Sequence, residues 1–222
     1  MELEQIIRQV AISAVPILIA IILHEVSHGY VAWRLGDPTA KMLGRLTLNP
    51  VSHIDPFGTV IMPIMLLVFS NGQFMFGYAK PVPINPANFK NPKRDMAISA
   101  AAGPVANLIV AAASIITLKY ILIPSVEFFS AEALDKILKP VAMMLTASVT
   151  MNVILASFNL LPIPPLDGGR VIMGFLPYRQ AAAYSKIEPY GMIIVLLLVA
   201  TGFSSYLIMP LARLFMNIIG ML

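Results

Sequence analysis

The sequence contains no cysteine. Disulfides, thiolate metal ligands and cysteine nucleophiles are excluded together, so any metal site must use nitrogen and oxygen donors. Charge is also scarce: 12% of the 222 residues are charged, against roughly 25% in a soluble domain. Histidine occurs three times and tryptophan once. Apolar residues make up 58% of the chain, and the mean hydropathy is +0.82. This balance argues against a soluble globular enzyme, a disordered chain and a nucleic-acid binder. The net charge of +4 then reads as basic cytoplasmic loops of a membrane protein rather than as a DNA-binding surface.

The apolar residues come in long runs. The first covers about Ile6–Leu35, more than the ~20 residues needed to cross a bilayer. Glu2 and Glu4 stand where a signal peptide wants basic residues, and no small-residue cleavage site follows, so this run is expected to be retained. A polar stretch, Gly36–Pro56, leads to a shorter run, Phe57–Phe69, and then to the turn signal Ser70-Asn71-Gly72. Phe74–Val82, ending in Pro81 and Pro83, suits a strand or an extended piece. Met96–Ile123 and Pro140–Leu161 are again long enough to span. The second of these breaks at Pro162-Ile163-Pro164-Pro165-Leu166-Asp167-Gly168-Gly169. Pro189–Thr201 and Phe203–Leu222 read as a closing helix pair.

His24-Glu25-Val26-Ser27-His28 is an HExxH motif. Residues i and i+4 share a helix face, so both imidazoles can reach one zinc ion, with the glutamate beside them as a proton acceptor. Two histidines satisfied by neighbouring helices are the plainer alternative, but ionisable groups in hydrocarbon are costly. A catalytic zinc takes three protein ligands and keeps one position open. Candidates for the third are Asp55, Asp95, Asp167 and Glu188, together with His53 in the polar loop. Asp167 stands out because irregular backbone at membrane depth is tolerated only where it is buried in protein or lines a polar cavity. Capping of the following helix is its plainer role.

These residues resemble a known family. HEVSH at 24–28 and NLLPIPPLDGG at 159–169 resemble the two signatures of the site-2 protease family of intramembrane zinc metalloproteases. GPVAN at 103–107 resembles that family's element in the intervening helix, and HIDPFGT at 53–59 with FGYAKPVPINPANFKNPKRD at 76–95 resembles its short forms without a PDZ domain. The resemblance implies one Zn2+ per chain held by His24, His28 and Asp167, with Glu25 as general base and later acid. It implies that Asn159 holds substrate backbone or the oxyanion and that Asn107 supports the site from the neighbouring helix. His53 is outside the implied ligand set and is kept as a supporting candidate. The implied substrate is a transmembrane segment of another protein, cut in regulated intramembrane proteolysis, with no nucleic-acid partner.

The expected fold is an all-α polytopic membrane protein with about five full transmembrane helices. A re-entrant half-helix and extended segment is expected between the first and second spans. The residues 1–222 form a single integral-membrane domain in this reading, with a catalytic core over about 6–175 and the helix pair over about 189–222. Parity argues for the dip. His24 lies near the C-terminal end of the first span, and Asp167 must reach the same depth after the helix 140–161. The ~13 residues of Phe57–Phe69 make ~20 Å of helix, short of the ~30 Å hydrocarbon core. With the dip, ten basic residues fall on the metal side and four on the other, Arg213 being left in the last span. A full crossing would leave six against eight. The metal side is therefore expected to be cytoplasmic in a multi-pass cell-membrane protein, with the N-terminus outside.

Two rival classes stand beside this reading. A zinc or proton transporter also places His and Asp within a membrane, and an inactive relative could act as a scaffold. Edge pairing of an unwound substrate with Phe76–Lys80 is a further expectation.

Overall fold

The computed structural model describes residues 3–69 and 77–220. The Asn71-Gly72 turn and residues 74–76 lie outside the described residues. The long apolar runs form long helices. Helix α1 (Leu3–Arg34) continues through an internal Pro16. Its fully buried Ala20 and Ala32 let neighbouring helices approach closely. Gly36, at φ 113°, ends it in a conformation that favours glycine.

Asp55 caps the next helical piece by accepting from the Gly58 amide at 2.7 Å. A π-helical turn, Pro56–Ile61, runs on into α2 (Met62–Phe69). Beyond residue 76 the chain is irregular up to Ile84; of the strand or extended piece expected there, no strand forms among the described residues. The reason lies in its donors, which go to three separate partners. The Tyr78 amide bonds the Gly58 carbonyl, the Lys80 amide bonds the His53 carbonyl, and the Val82 amide reaches the Glu25 carboxylate. Tyr78 thus sits beside Gly58, so the chain comes back to the point where its excursion began. With the Tyr78 and Lys80 amides occupied, edge pairing of a substrate through Phe76–Lys80 loses those two donors.

Helix α3 (Pro92–Ile116) starts with proline in its first turn, where the missing N–H is harmless. The Asp95 carboxylate accepts from the Asn91 amide at 3.0 Å. The helix continues through a π-helical turn to Phe128. Helix α4 (Lys139–Asn159) ends the helical stretch that begins at Ala131. After the proline break come α5 (Asp167–Phe175), α6 (Tyr178–Ser185), α7 (Glu188–Ala200) and α8 (Phe203–Ile218). Among the described residues, three helices are long and apolar enough to cross a membrane: Ile12–Arg34, Pro92–Phe128 and Ala131–Asn159. The pair α6 and α7 passes the same test only when taken together, and it is bent by 61°.

Side-chain pairs fix the helix directions. Ala20 and His28 of α1 meet Asn107 and Ser99 of α3, so these helices are antiparallel. Asn107 and Ser114 of α3 meet Asn152 and Ser148 of α4, again antiparallel. Helix α8 runs with α3: its Ala212 packs among Ala111, Ile115, Val149 and Val153, and the Gly220 carbonyl beyond it accepts from Lys119. Gly202, ten residues or ~15 Å before Ala212 along α8, therefore lies back toward the histidine end of the bundle. Helices α5 and α6 and the first turn of α7 gather at that same end. Gly174 packs on Ala97, Lys93 reaches the Leu176 carbonyl, the Tyr184 hydroxyl donates to the Pro162 carbonyl at 2.6 Å, and Gly191 lies against Pro164.

Candidate metal centre

The histidine end of the bundle carries the buried polar groups. His24 and His28 lie on the face of α1 turned toward α3, and both are buried. The ring of His24 meets Asn107 through Nδ1 at 2.6 Å. The Asn107 amide group donates to the Ala20 carbonyl at 3.1 Å and to Asn152 Oδ1 at 2.9 Å. Both amide hydrogens are thereby used, and Oδ1 is left to accept from His24. His28 Nδ1 bonds the Ser99 carbonyl at 2.7 Å, and the Ser99 hydroxyl donates back to the His28 carbonyl. Both Nδ1 atoms face pure acceptors and so carry the ring protons. Each neutral ring then presents a bare lone pair at Nε2.

These two lone pairs converge. His24 Nε2 and His28 Nε2 are 3.0 Å apart, and two lone pairs cannot bond each other. Asp167 completes the set from the first turn of α5, with Oδ2 at 3.1 Å from His24 Nε2 and 3.3 Å from His28 Nε2. This buried oxygen has no hydrogen-bond partner. Three inward-facing donor atoms with nothing between them are unfavourable unless a cation binds there. Three ligands at ~2.0–2.1 Å from a tetrahedral ion lie ~3.3 Å from one another, which matches these separations. The N, N, O donor set fits zinc. Among the described residues His24, His28 and Asp167 are the one group of this kind.

Glycines make the approach possible. A Cβ on Gly103 would run into His28 Nε2 and would stand 2.7 Å from His24 Cε1. A Cβ on Gly168 would strike the Leu160 and Leu161 carbonyls, and one on Gly169 would stand 2.6 Å from Pro164 N. The two glycines after Asp167 thus let the chain fold back on the end of α4 and turn the aspartate inward.

The other expected residues are placed as follows. Glu25 is half-buried beside the cluster, and its Oε2 accepts from the Val82 amide at 2.8 Å. Asn159 is the last residue of α4, and its amide donates to the Leu155 carbonyl of its own helix. His53 is buried away from the ligands, with Nε2 donating to the Thr47 carbonyl at 2.9 Å and its own carbonyl accepting from Lys80. Asp55 caps a helical turn, Asp95 pairs with Arg94 at 2.9 Å, and Glu188 is exposed at the start of α7. None of these joins the cluster. Asn152 and Ser99 were not foreseen. Asn152 could have been flagged as a lone amide in an apolar run, whereas a backbone carbonyl such as that of Ser99 leaves no mark in a sequence.

A buried His–His–Asp cluster with the Glu25 carboxylate next to it, set among membrane-length helices, defines a polytopic metallopeptidase. The model of peptidase family M50 matches residues 12–201. The chain belongs to that family, the site-2 proteases, and is a zinc metalloendopeptidase in a multi-pass membrane protein. It is 37% identical over 197 residues to "Putative zinc metalloprotease YwhC" of Bacillus subtilis, covering 89% of this chain and 84% of that one. It is 28% identical over 185 residues to "Putative zinc metalloprotease Rip2" of Mycolicibacterium smegmatis, covering 83% of this chain and 64% of that one. The Rip2 of Mycobacterium tuberculosis strain H37Rv is likewise 28% identical, over 82% of this chain and 63% of its own length. The chain thus spans a little under two thirds of the Rip2 relatives. No solved structure matches it.

Proposed function

We propose that this protein cleaves peptide bonds within or near transmembrane segments of other membrane proteins, as in regulated intramembrane proteolysis. The observation that carries the reading is the Asp167 oxygen without a hydrogen-bond partner, held between two imidazoles inside a bundle of apolar helices. His24, His28 and Asp167 hold zinc. A zinc ion bound there would supply Lewis acidity, making a water more acidic and polarising the scissile carbonyl. Glu25 takes the proton of the attacking water and passes it to the leaving amine. Asn107 keeps His24 in the tautomer that leaves Nε2 free, and Asn159 holds substrate backbone or the developing oxyanion at the end of α4. His53 braces the loop beside Glu25 rather than binding metal.

The membrane arrangement follows the same logic. The Tyr78–Gly58 bond supports a re-entrant excursion of residues 59–77 instead of a crossing. The directions of α1, α3, α4 and α8 favour four crossings over the expected five, with α7 staying at the metal end. The basic residues of that end favour a cytoplasmic metal site in the cell membrane and an external N-terminus, and residues 1–222 are read as a single integral-membrane domain. A transporter would not need the Glu25 carboxylate beside the ligands. Glu25→Gln in cells, followed by proteomics of membrane-protein fragments, is the test. Zinc is expected to stay bound while specific fragments disappear, and retained cleavage would remove Glu25 as the base.

A further inference from the structure

The catalytic carboxylate assigned above is held by one backbone amide. Val82 lies between Pro81 and Pro83, neither of which has an N–H. Across these three residues the chain therefore has a single donor, and it points at Glu25 Oε2, 2.8 Å away. Several anchors aim it. The Arg45 guanidinium donates through Nη2 to the carbonyls of Lys80 at 3.0 Å and Pro81 at 3.4 Å, immediately before Val82. The Lys80 amide is tied to His53. On the far side Asp37 accepts from the Asn85 amide at 2.7 Å. The buried Val82 side chain rests on α1 itself, where a Cβ on Gly29 would stand 2.6 Å from it. Gly29 is one helical turn beyond Glu25, so the amide and the side chain of Val82 grip α1 on the same face.

We infer that the Val82 amide fixes the orientation of the Glu25 carboxylate for proton transfer, and that Arg45 is the positioning residue that aims it. A carboxylate on a helix keeps several rotamers. One charge-assisted bond to Oε2 selects one of them and leaves Oε1 to face the water. The prolines ensure that no neighbouring amide competes for Oε2. This rests on the assignment of Glu25 as the base, but it makes a separate claim about residues 45 and 82.

The test uses the full-length, zinc-loaded protein in detergent with an internally quenched peptide that contains one transmembrane segment. Arg45→Ala is expected to lower kcat on the order of 10²-fold, the scale of a ~1 Å misplacement. KM and zinc per chain should not change, and Arg45→Lys should recover part of the loss. Hydrogen exchange of the Val82 amide should accelerate in Arg45→Ala and also in Glu25→Ala. A wild-type kcat in Arg45→Ala, a loss shared by KM or zinc content, or unchanged Val82 exchange in Glu25→Ala would each overturn the inference. If Arg45→Ala does not fold, the same readings on Arg45→Lys decide. Failure of the base assignment would show separately, as cleavage retained by Glu25→Gln.

Discussion

Asn107 on α3 grips the ring of His24 on α1 at 2.6 Å, while its amide group joins the Ala20 carbonyl and Asn152 of α4. One buried side chain thus couples a metal ligand to two neighbouring helices. Asn107→Leu should weaken zinc binding by ~10–100-fold, the usual cost of losing an outer-shell partner. It also strands Asn152 Oδ1. Removing one buried partner costs the desolvation of the other, whereas replacing both is nearly neutral. The double variant Asn107→Leu/Asn152→Leu should therefore regain thermal stability yet still bind zinc weakly. Chelator competition and Tm on the two variants check this; full zinc affinity in either would show that Asn107 only packs.

Gly103→Ala separates the metal site from the helix. Alanine favours a helix by ~1 kcal/mol over glycine, and α3 already passes through this position. The added methyl would enter the space of both imidazoles. Helix content by circular dichroism should be unchanged while zinc per chain falls below one half. A variant that retains full zinc would show that the rings can move aside at no cost.

The chemistry of the site was more legible than its scaffolding. HExxH places His24, Glu25 and His28 by helical spacing alone, and a carboxylate at a proline break within an apolar run singles out Asp167. Asn107 was legible only through the resemblance of GPVAN at 103–107 to a family element. The Val82 amide and the Ser99 carbonyl were invisible, because backbone groups are identical in every residue and only the fold decides where they point. The shortness of the apolar run 57–69 was legible, but not whether the piece after it would be a strand or merely extended; no strand forms among its described residues, since each amide finds a different partner. The closing pair was legible as two helices, but not the course they take. A 13-residue apolar helix carries no sign of its direction, and only the packing of Ala212 and Gly220 along α3 reveals which way α8 runs.

Asp37 gives a pH dependence outside the membrane-spanning helices. Burial pushes its carboxyl pKa up, but donors from Thr39, Asn88 and Asn85 outweigh this and hold it below the ordinary range. The folded pKa is therefore lower than the unfolded one. The stabilisation is fully present above the unfolded value of ~3.9 and is lost as pH falls through the folded value. Asp37→Asn should lower Tm relative to wild type at pH 5–8, with the gap closing below pH ~4. A gap independent of pH would show that charge on Asp37 does not matter.

The absence of cysteine makes topology directly testable by single substitutions. Lys90 and Ser130 are exposed, at the two ends of α3 and its continuation. With the re-entrant excursion, Lys90→Cys should react with an impermeant maleimide only from the cytoplasmic side and Ser130→Cys only from outside. A crossing at 57–69 moves residue 90 to the far side from residue 34, so Arg34→Cys and Lys90→Cys would label from opposite faces. The parallel course of α8 and α3 adds a sharper demand. Thr201→Cys should label with Lys90→Cys and Ile218→Cys with Ser130→Cys, because α8 starts at the metal end and finishes beside Lys119. If Thr201→Cys instead labels from outside, α7 crosses the bilayer, the chain has five spans, and α8 must return toward the cytoplasm against the direction set by Ala212 and Gly220.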